Sequence, residues 1–392
     1  MPLIAPPLSL YVHIPWCVRK CPYCDFNSHA VRDGLPQEAY VDALLDDLDR
    51  DLADFGAAAA GRPLTSIFFG GGTPSLFAPA AIGRILDGVA ARLPVAPGAE
   101  VTLETNPGTV EHGRFDGYRA AGVNRISFGV QSFDDVMLGR LGRIHSAGEA
   151  EQAIAQARAA GIDNFNIDLM YALPQQDLAG ALADVERAIA LAPPHLSHYQ
   201  LTLEPNTLFA ARPPPLPDGD AAWDMQERCQ QRLAEAGYAQ YEVSAYARPG
   251  RQAAHNLNYW RFGDYLGIGA GAHGKLTDAA AGTIRRRAKQ RTPRAYLAHA
   301  GSARRIAEDV TIGAADLPFE YAMNALRLID GVPAAAFAER TGLPDAAIAA
   351  PLAAAQRRGW LDQAPGLLRA SDDGQRFLND LVALFLPEDR HA

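Results

Sequence analysis

Six strand-like runs, each followed by a segment of helical period, succeed one another before residue 204. That alternation restricts the chain to a parallel α/β architecture with helical crossovers. The runs are 8–14 (LSLYVHI), 65–70 (TSIFFG), 100–105 (EVTLET), 125–130 (RISFGV), 165–171 (FNIDLMY) and 196–203 (LSHYQLTL). Apolar spacing predicts helices over 38–55, near 79–92, near 111–121, across 134–160 and near 177–192. In the first helix Val41, Leu44, Leu45, Leu48, Leu52 and Phe55 form the apolar stripe. Its acidic face, Asp42, Asp46, Asp47, Asp49 and Asp54, reads as solvated. Six units in series suit a partial or full β/α barrel better than two Rossmann halves.

After Glu204 the texture changes. Residues 211–217 (ARPPPLP) resist helix and strand alike, and a helix follows near 220–236. Then come a strand-like YEVSAYA (241–247), an irregular aromatic stretch HNLNYWRF (255–262) and a Gly-rich run GIGAGAHG (267–274). That run lacks the preceding strand of a βαβ unit, so it is not read as a dinucleotide fingerprint. Residues 281–305 hold eight Arg or Lys and no acid, most simply a solvated face. The last part reads as helices near 318–330, 333–340 and 346–358, a two-strand wing in WLDQAPGLLRAS and a helix near 373–386, a winged-helix-like order. The expected division is therefore 1–210 for the barrel core, 211–305 for an accessory region and 306–392 for the C-terminal unit.

With 48% hydrophobic and 21% charged residues the chain can bury a sizeable core, which excludes disordered and collagenous classes. A net charge of −9 argues against bulk nucleic-acid binding. Residues 1–18 carry no Asp, Glu, Lys or Arg, yet Pro2, Pro6, Pro7 and Pro15 break any helix there and no basic segment precedes them. No apolar run reaches the roughly 18–20 residues of a membrane span. The expectation is a cytoplasmic protein.

The chain has four cysteines, and three of them, Cys17, Cys21 and Cys24, fall in the loop after the first strand. Zinc sites use four ligands from paired clusters, and no second cluster follows. Thioredoxin-type chemistry needs only CxxC. A cubane iron–sulfur cluster has four irons, so three thiolates leave one open to another ligand. Cys229 lies in a core-patterned helix and reads as a buried thiol.

The spacing C-x3-C-x2-C after strand one, with Tyr23 inside it, resembles the radical SAM superfamily. The resemblance implies a 4Fe-4S cluster on Cys17, Cys21 and Cys24 and S-adenosyl-L-methionine (SAM) on the open iron. Further segments, SLYVHIPWCVRKCPYCDFNS, FFGGGTPS, LETNP, RISFGVQSF, LGRIHS and NIDLMYALPQQ, resemble the coproporphyrinogen III dehydrogenase branch. By that resemblance Tyr11, Tyr23, Gly71, Gly72, Thr73, Glu104, Gln131, Arg143 and Asp168 are SAM-pocket residues, most of them at strand ends along one barrel rim. Arg143 is placed in the helical segment after the fourth strand.

Two departures separate the chain from the dehydrogenase. The further cysteine two residues after the third is Phe26 here, and only seven residues precede Leu8. Both features, with the segment His255-Asn256-Leu257-Asn258-Tyr259-Trp260, resemble the HemW family of heme chaperones. That resemblance implies heme as cargo, His255 as its ligand, Tyr259 and Trp260 as flat area against the porphyrin, and heme-acceptor proteins such as respiratory enzymes as partners. It also implies an electron donor such as flavodoxin or ferredoxin, with a homodimer and a transient membrane contact as options. No catalytic residue is assigned. The other histidines, His13, His29, His112, His145, His195, His198, His273, His299 and His391, have weaker claims; His13 and His145 are expected at the barrel mouth, and His273 lies in the Gly-rich run. Two competing readings remain. One is oxygen-independent coproporphyrinogen III oxidation. The other is nucleic-acid binding through the tail and the basic stretch, which the net charge disfavours.

Overall fold

The structure is a computed structural model that describes residues 2–32, 34–109 and 114–387. Its spine is six strands: β1 (Leu8–Ile14), β2 (Leu64–Gly71), β3 (Val95–Thr105), β4 (Arg125–Gln131), β5 (Phe165–Tyr171) and β6 (His195–Gln200). They pair in sequence order, all parallel. The crossovers run through α1 (Gln37–Phe55), α2 (Pro79–Ala90), α3 (Arg114–Ala120), α4 (Asp135–Arg140), α5 (Ala147–Ala159) and α6 (Leu178–Ala190). The expected start of α3 near 111 lies outside the described residues.

The segment expected as helical across 134–160 is two helices. Gly142, at φ 69°, ends the first, and Ser146 opens α5 with a capping box to Glu149. Arg143 therefore stands in the turn between them, not in a helix.

Helix α7 (Gly219–Glu235) packs on α6. Cys229 in it is fully buried, as expected. YEVSAYA is not one strand but a hairpin, β7 (Ala239–Glu242) and β8 (Ala245–Ala247), and β8 pairs antiparallel with β6. HNLNYWRF, read as irregular, forms helix α8 (Ala254–Trp260). Four strands follow: β9 (Asp264–Ile268), β10 (His273–Asp278), β11 (Thr283–Lys289) and β12 (Ile306–Thr311). β9 lies parallel beside β1, so seven parallel strands stand side by side, and β10–β12 continue antiparallel. The twelve-stranded sheet ends at β12 and β7 and does not close. The Gly-rich run serves this packing: a Cβ at Gly269 would stand 2.4 Å from the His13 carbonyl oxygen.

The acidic face of α1 and the basic stretch 281–305 are only partly solvated, because they meet. Asp47 and Asp51 are each 1% exposed, and Arg287, Lys289 and Arg305 are buried with them. Arg305 Nε donates to Asp47 Oδ1 at 2.7 Å, and Lys289 Nζ donates to Asp47 and to Asp51, the latter at 2.8 Å. Arg287 Nη1 reaches Asp51 Oδ1 at 2.6 Å, and the Tyr296 hydroxyl reaches Asp47 Oδ2 at 2.8 Å. Of the eight basic residues, Arg291, Arg294 and Arg304 are exposed.

The C-terminal unit is helical, as expected, with its own apolar core around Leu317, Tyr321, Phe337 and Leu381. Its wing is formed by Leu367–Leu368 pairing with Val332–Pro333 and a Leu361–Ala370 bridge. Phe262, Leu257 and Trp260 pack into that core, so α8 joins it to the sheet. Among the described residues no helix is long and apolar enough to cross a membrane.

Removing one member of a buried ion network strands the rest. Asp51→Ala should lower unfolding free energy by about 3–5 kcal/mol. Asp49→Ala, which removes an exposed pair with Arg92, should cost under about 1 kcal/mol. Urea midpoints check both; equal small losses would show that the buried network contributes little.

Candidate functional site

Alternate residues of the parallel strands point inward, because side chains change face at every residue. Arg125, Ser127, Gly129 and Gln131 of β4, Asn166, Asp168 and Met170 of β5, and His195, Ser197 and Tyr199 of β6 line one cavity of about 720 Å3. It opens among Cys17, Cys21 and Cys24 and reaches inward to His255 and Trp260 of α8. Arg125 opens β4 and Gln131 ends it, roughly 20 Å apart along the strand, so the cavity has a rim and a deep end.

At the rim, Trp16–Cys17 continues β1 and pairs with His29–Ala30, which closes the cysteine loop. Asn27 ties that loop to the Ala270 and Arg291 carbonyls at 2.9 and 2.8 Å. The Gly-Gly-Thr segment runs alongside: Gly72 N–H donates to Ile14 O at 2.8 Å and Thr73 N–H to Trp16 O at 2.7 Å. A Cβ at Gly72 would stand 2.5 Å from the Trp16 carbonyl, so only glycine allows this approach. Each thiol has a polar neighbour. Thr73 Oγ1 lies 3.5 Å from Cys17 Sγ, Arg143 Nη1 3.6 Å from Cys21 Sγ and Ser28 Oγ 3.8 Å from Cys24 Sγ. Burial pushes the Cys17 and Cys24 thiols up. Among the described residues no three His, Cys, Asp or Glu side chains converge on a single ion. A cubane takes each thiolate on a different iron, so it needs no convergence on one ion.

Further in, Glu104 is pushed up to about 8, first by burial and then by Asp168; the Gly71 N–H at 3.2 Å opposes the rise. Asp168 accepts from Asn166 Nδ2 at 2.6 Å and Ser127 Oγ at 3.3 Å. Gln131 sits at φ 74°, a strained position for a side-chain-bearing residue, and its buried Oε1 has no partner. Thr105 Oγ1 and Arg143 Nε are buried and unpartnered beside it. Unpaired polar atoms around a cavity fit a polar ligand such as SAM. Tyr23, Gly71, Gly72, Thr73, Glu104, Gln131, Arg143 and Asp168 all line this space. Tyr11 does not: it stands one layer back, its hydroxyl 2.7 Å from His13 Nδ1 and its ring stacked on Phe68, which does line it.

At the deep end Glu100 accepts from the Ala254 N–H at 3.1 Å, the His255 N–H at 3.3 Å and His255 Nδ1 at 2.8 Å. Burial pushes this carboxyl up, but the His255 hydrogen bond, the Arg125 charge and the Ala254 N–H outweigh it and hold it at about 2. Burial keeps His255 below the usual imidazole range, so the pair is a carboxylate and a neutral ring. The His255 ring stacks on Phe68 at 4.3 Å. Trp260 lines the cavity with its Nε1 unpartnered and Arg327 4.3 Å over its ring; Tyr259 instead packs on Tyr265.

The other histidines separate cleanly. His13, His145 and His195 have both ring nitrogens hydrogen-bonded. His13 and His145 are not among the lining residues, and His273 is exposed on β10. His112 and His391 lie outside the described residues. Strand-end reasoning missed Glu100, Arg125, Asn166 and Tyr199. For Arg125 and Asn166 the signal was present as alternation, Arg125, Ser127 and Gln131 sharing one face of RISFGVQ and Asn166 and Asp168 one face of NIDLM.

Residues 11–187 match the radical SAM superfamily and residues 313–377 the HemN C-terminal domain. The chain is 53% identical to the heme chaperone HemW of Escherichia coli (strain K12), over 98% of this chain and 99% of that one. It is 50% identical to the heme chaperone HemW of Haemophilus influenzae, with the same coverage. It is 40% identical to the mitochondrial radical S-adenosyl methionine domain-containing protein 1 of Mus musculus, over 72% of this chain and 64% of that one. The solved coproporphyrinogen III oxidase (HemN) of Escherichia coli shares the fold, with a TM-score of 0.82 over 99% of this chain and 91% of that one at 23% identity.

The buried Glu104 carboxyl makes ligand-free stability depend on pH. Its native value near 8 lies above the ordinary 4.5, so the native state holds the proton more tightly and stability falls as pH rises from 4.5 through 8. Glu104→Gln should therefore exceed the wild type by on the order of 4 kcal/mol above pH 8, with little difference near about pH 5. Denaturant midpoints across that range check it; a gap independent of pH would contradict it.

Proposed function

This chain belongs to the HemW family of heme chaperones, and on that premise we propose that it captures heme in the cavity described above and passes it to acceptor proteins such as respiratory enzymes. One observation carries the reading. Two histidines line the cavity among the described residues, His195 and His255, and only His255 keeps a ring nitrogen without a hydrogen-bond partner. Glu100 holds the proton on Nδ1, which fixes the tautomer and leaves the Nε2 lone pair for iron. Imidazole nitrogen is a standard axial ligand of heme. Phe68 stacks on the imidazole and fixes its plane.

Cys17, Cys21 and Cys24 would hold the 4Fe-4S cluster. Gly71–Thr73, Gln131 and Arg143 would surround SAM, with Glu104 and Asp168 as acceptors for its ammonium and hydroxyl groups. When bound, the cluster and the sulfonium supply one-electron chemistry, with a flavodoxin or ferredoxin as electron source. The chain's own contribution is positional. Arg143 spans the Gly129 carbonyl and Cys21 Sγ, and so braces the cysteine loop against β4.

Heme titrated into anaerobically purified protein should give saturable, near-stoichiometric growth of the Soret band. His255→Ala should bind at least about tenfold more weakly or with a changed spectrum. Equal binding by both proteins would remove His255 from the proposal, and no saturable binding by the wild type would overturn it. Coproporphyrinogen III with SAM and reductant should yield no decarboxylated product; product would favour the oxidase reading.

A further inference from the structure

Arg125 is 2% exposed, yet its guanidinium is poorly satisfied. Its Nε has no hydrogen-bond partner among the described residues, and its ion pair with Glu100 Oε2 spans 3.7 Å, beyond hydrogen-bond reach. Glu100 does not come closer because its oxygens are taken by the Ala254 and His255 N–H groups and by His255 Nδ1. A guanidinium carries five donors in a planar fork. One held out of water without acceptors is costly unless a ligand supplies them. Arg125 also lines the cavity, so its donors face a space that a ligand can occupy.

From this we infer that Arg125 is a carboxylate-binding residue of the deep end, and that it takes a propionate of the porphyrin cargo. The inference rests on the heme-binding proposal above. Two positions favour the cargo over the carboxylate of SAM. His255 and Arg125 flank the same Glu100 side chain, so a ligand held by one reaches the other. The cysteine loop has its own arginine, Arg143, and lies at the opposite end of β4. Arg327 stands nearby and also has an unpartnered Nε, but its Nη2 already pairs with Glu242 at 3.3 Å and it covers Trp260, so Arg125 is the less satisfied of the two. A guanidinium and a carboxylate pair through two parallel hydrogen bonds, which fixes the rotation of the macrocycle about its axial ligand.

The test compares heme with heme dimethyl ester, whose side chains carry no charge, in wild type, Arg125→Gln and Arg125→Lys. Wild type should prefer free heme by about tenfold or more, the scale of a buried charged hydrogen bond. Arg125→Gln should bring that ratio near unity, and Arg125→Lys should restore part of it. The ester arm in wild type needs no variant and stands even where a substitution disturbs folding. Equal affinity of wild type for heme and its ester overturns the inference while leaving heme binding intact. An unchanged ratio in a folded Arg125→Gln overturns it too. If Arg125→Gln loses SAM binding and keeps the full ester preference, the guanidinium serves the SAM carboxylate instead. Failure of wild type to bind either porphyrin removes the heme-binding proposal itself, and this inference with it.

Discussion

Glu100 is the joint on which the inner architecture turns. It sits on β3 with its side chain in the interior, where a carboxylate is expensive unless every lone pair is used. Here it is used by a helix that starts 154 residues later. Ala253 offers α8 no side-chain cap, so the helix borrows one from the sheet. That single contact seats α8 inside the sheet, orients His255 and gives the C-terminal core its anchor through Leu257, Trp260 and the following Phe262. With Glu100 occupied by α8, Arg125 is left with donors to spare. The arrangement of the deep end thus follows from one carboxylate having several suitors.

A second buried charge system plays the opposite part. Asp47, Asp51, Lys289, Arg305 and Arg287 satisfy one another almost completely, and they fasten β11 and the start of β12 onto α1. Networks of this kind add little stability over an apolar core, but they demand one register. The antiparallel extension β10–β12 has to lie in a defined position against α1, because a slipped register would bury several charges unpaired. The two systems therefore divide the work. The satisfied one fixes the outer strands, and the unsatisfied one faces the cavity.

Local pattern carried the strand order of the spine and the cysteine loop, since both are short-range signals. The bounds of β1 and β5 agree with the runs 8–14 and 165–171, and the remaining spine strands differ by a few residues at an end. What was illegible depends on contacts distant in sequence. The acidic face of α1 and the basic run after residue 281 each look solvated alone; they become interior only because more than two hundred residues of chain bring them together. Helix α8 was illegible for the same reason, its cap being Glu100. Within the site, reasoning from strand ends found the rim and stopped there. The deep residues follow from the period-2 rule applied along the whole strand, which places Arg125 and Asn166 on the same face as Gln131 and Asp168.

The cavity is graded in charge along its length. In its middle, burial and then the neighbouring Asp168 raise the cost of ionising Glu104, which at about 8 is held near the edge of protonation. A cationic group placed beside Glu104 would favour its carboxylate form, so that level suits an ammonium or a sulfonium better than an anion. At the deep end the order reverses, with an unsatisfied guanidinium and a neutral imidazole beside a carboxylate already committed to α8. On the proposed function, a ligand with carboxylates and a metal centre would be favoured there over the level above. On the proposed function, such a gradient would separate the places of SAM and the porphyrin cargo, and it follows from which face of neighbouring strands points inward.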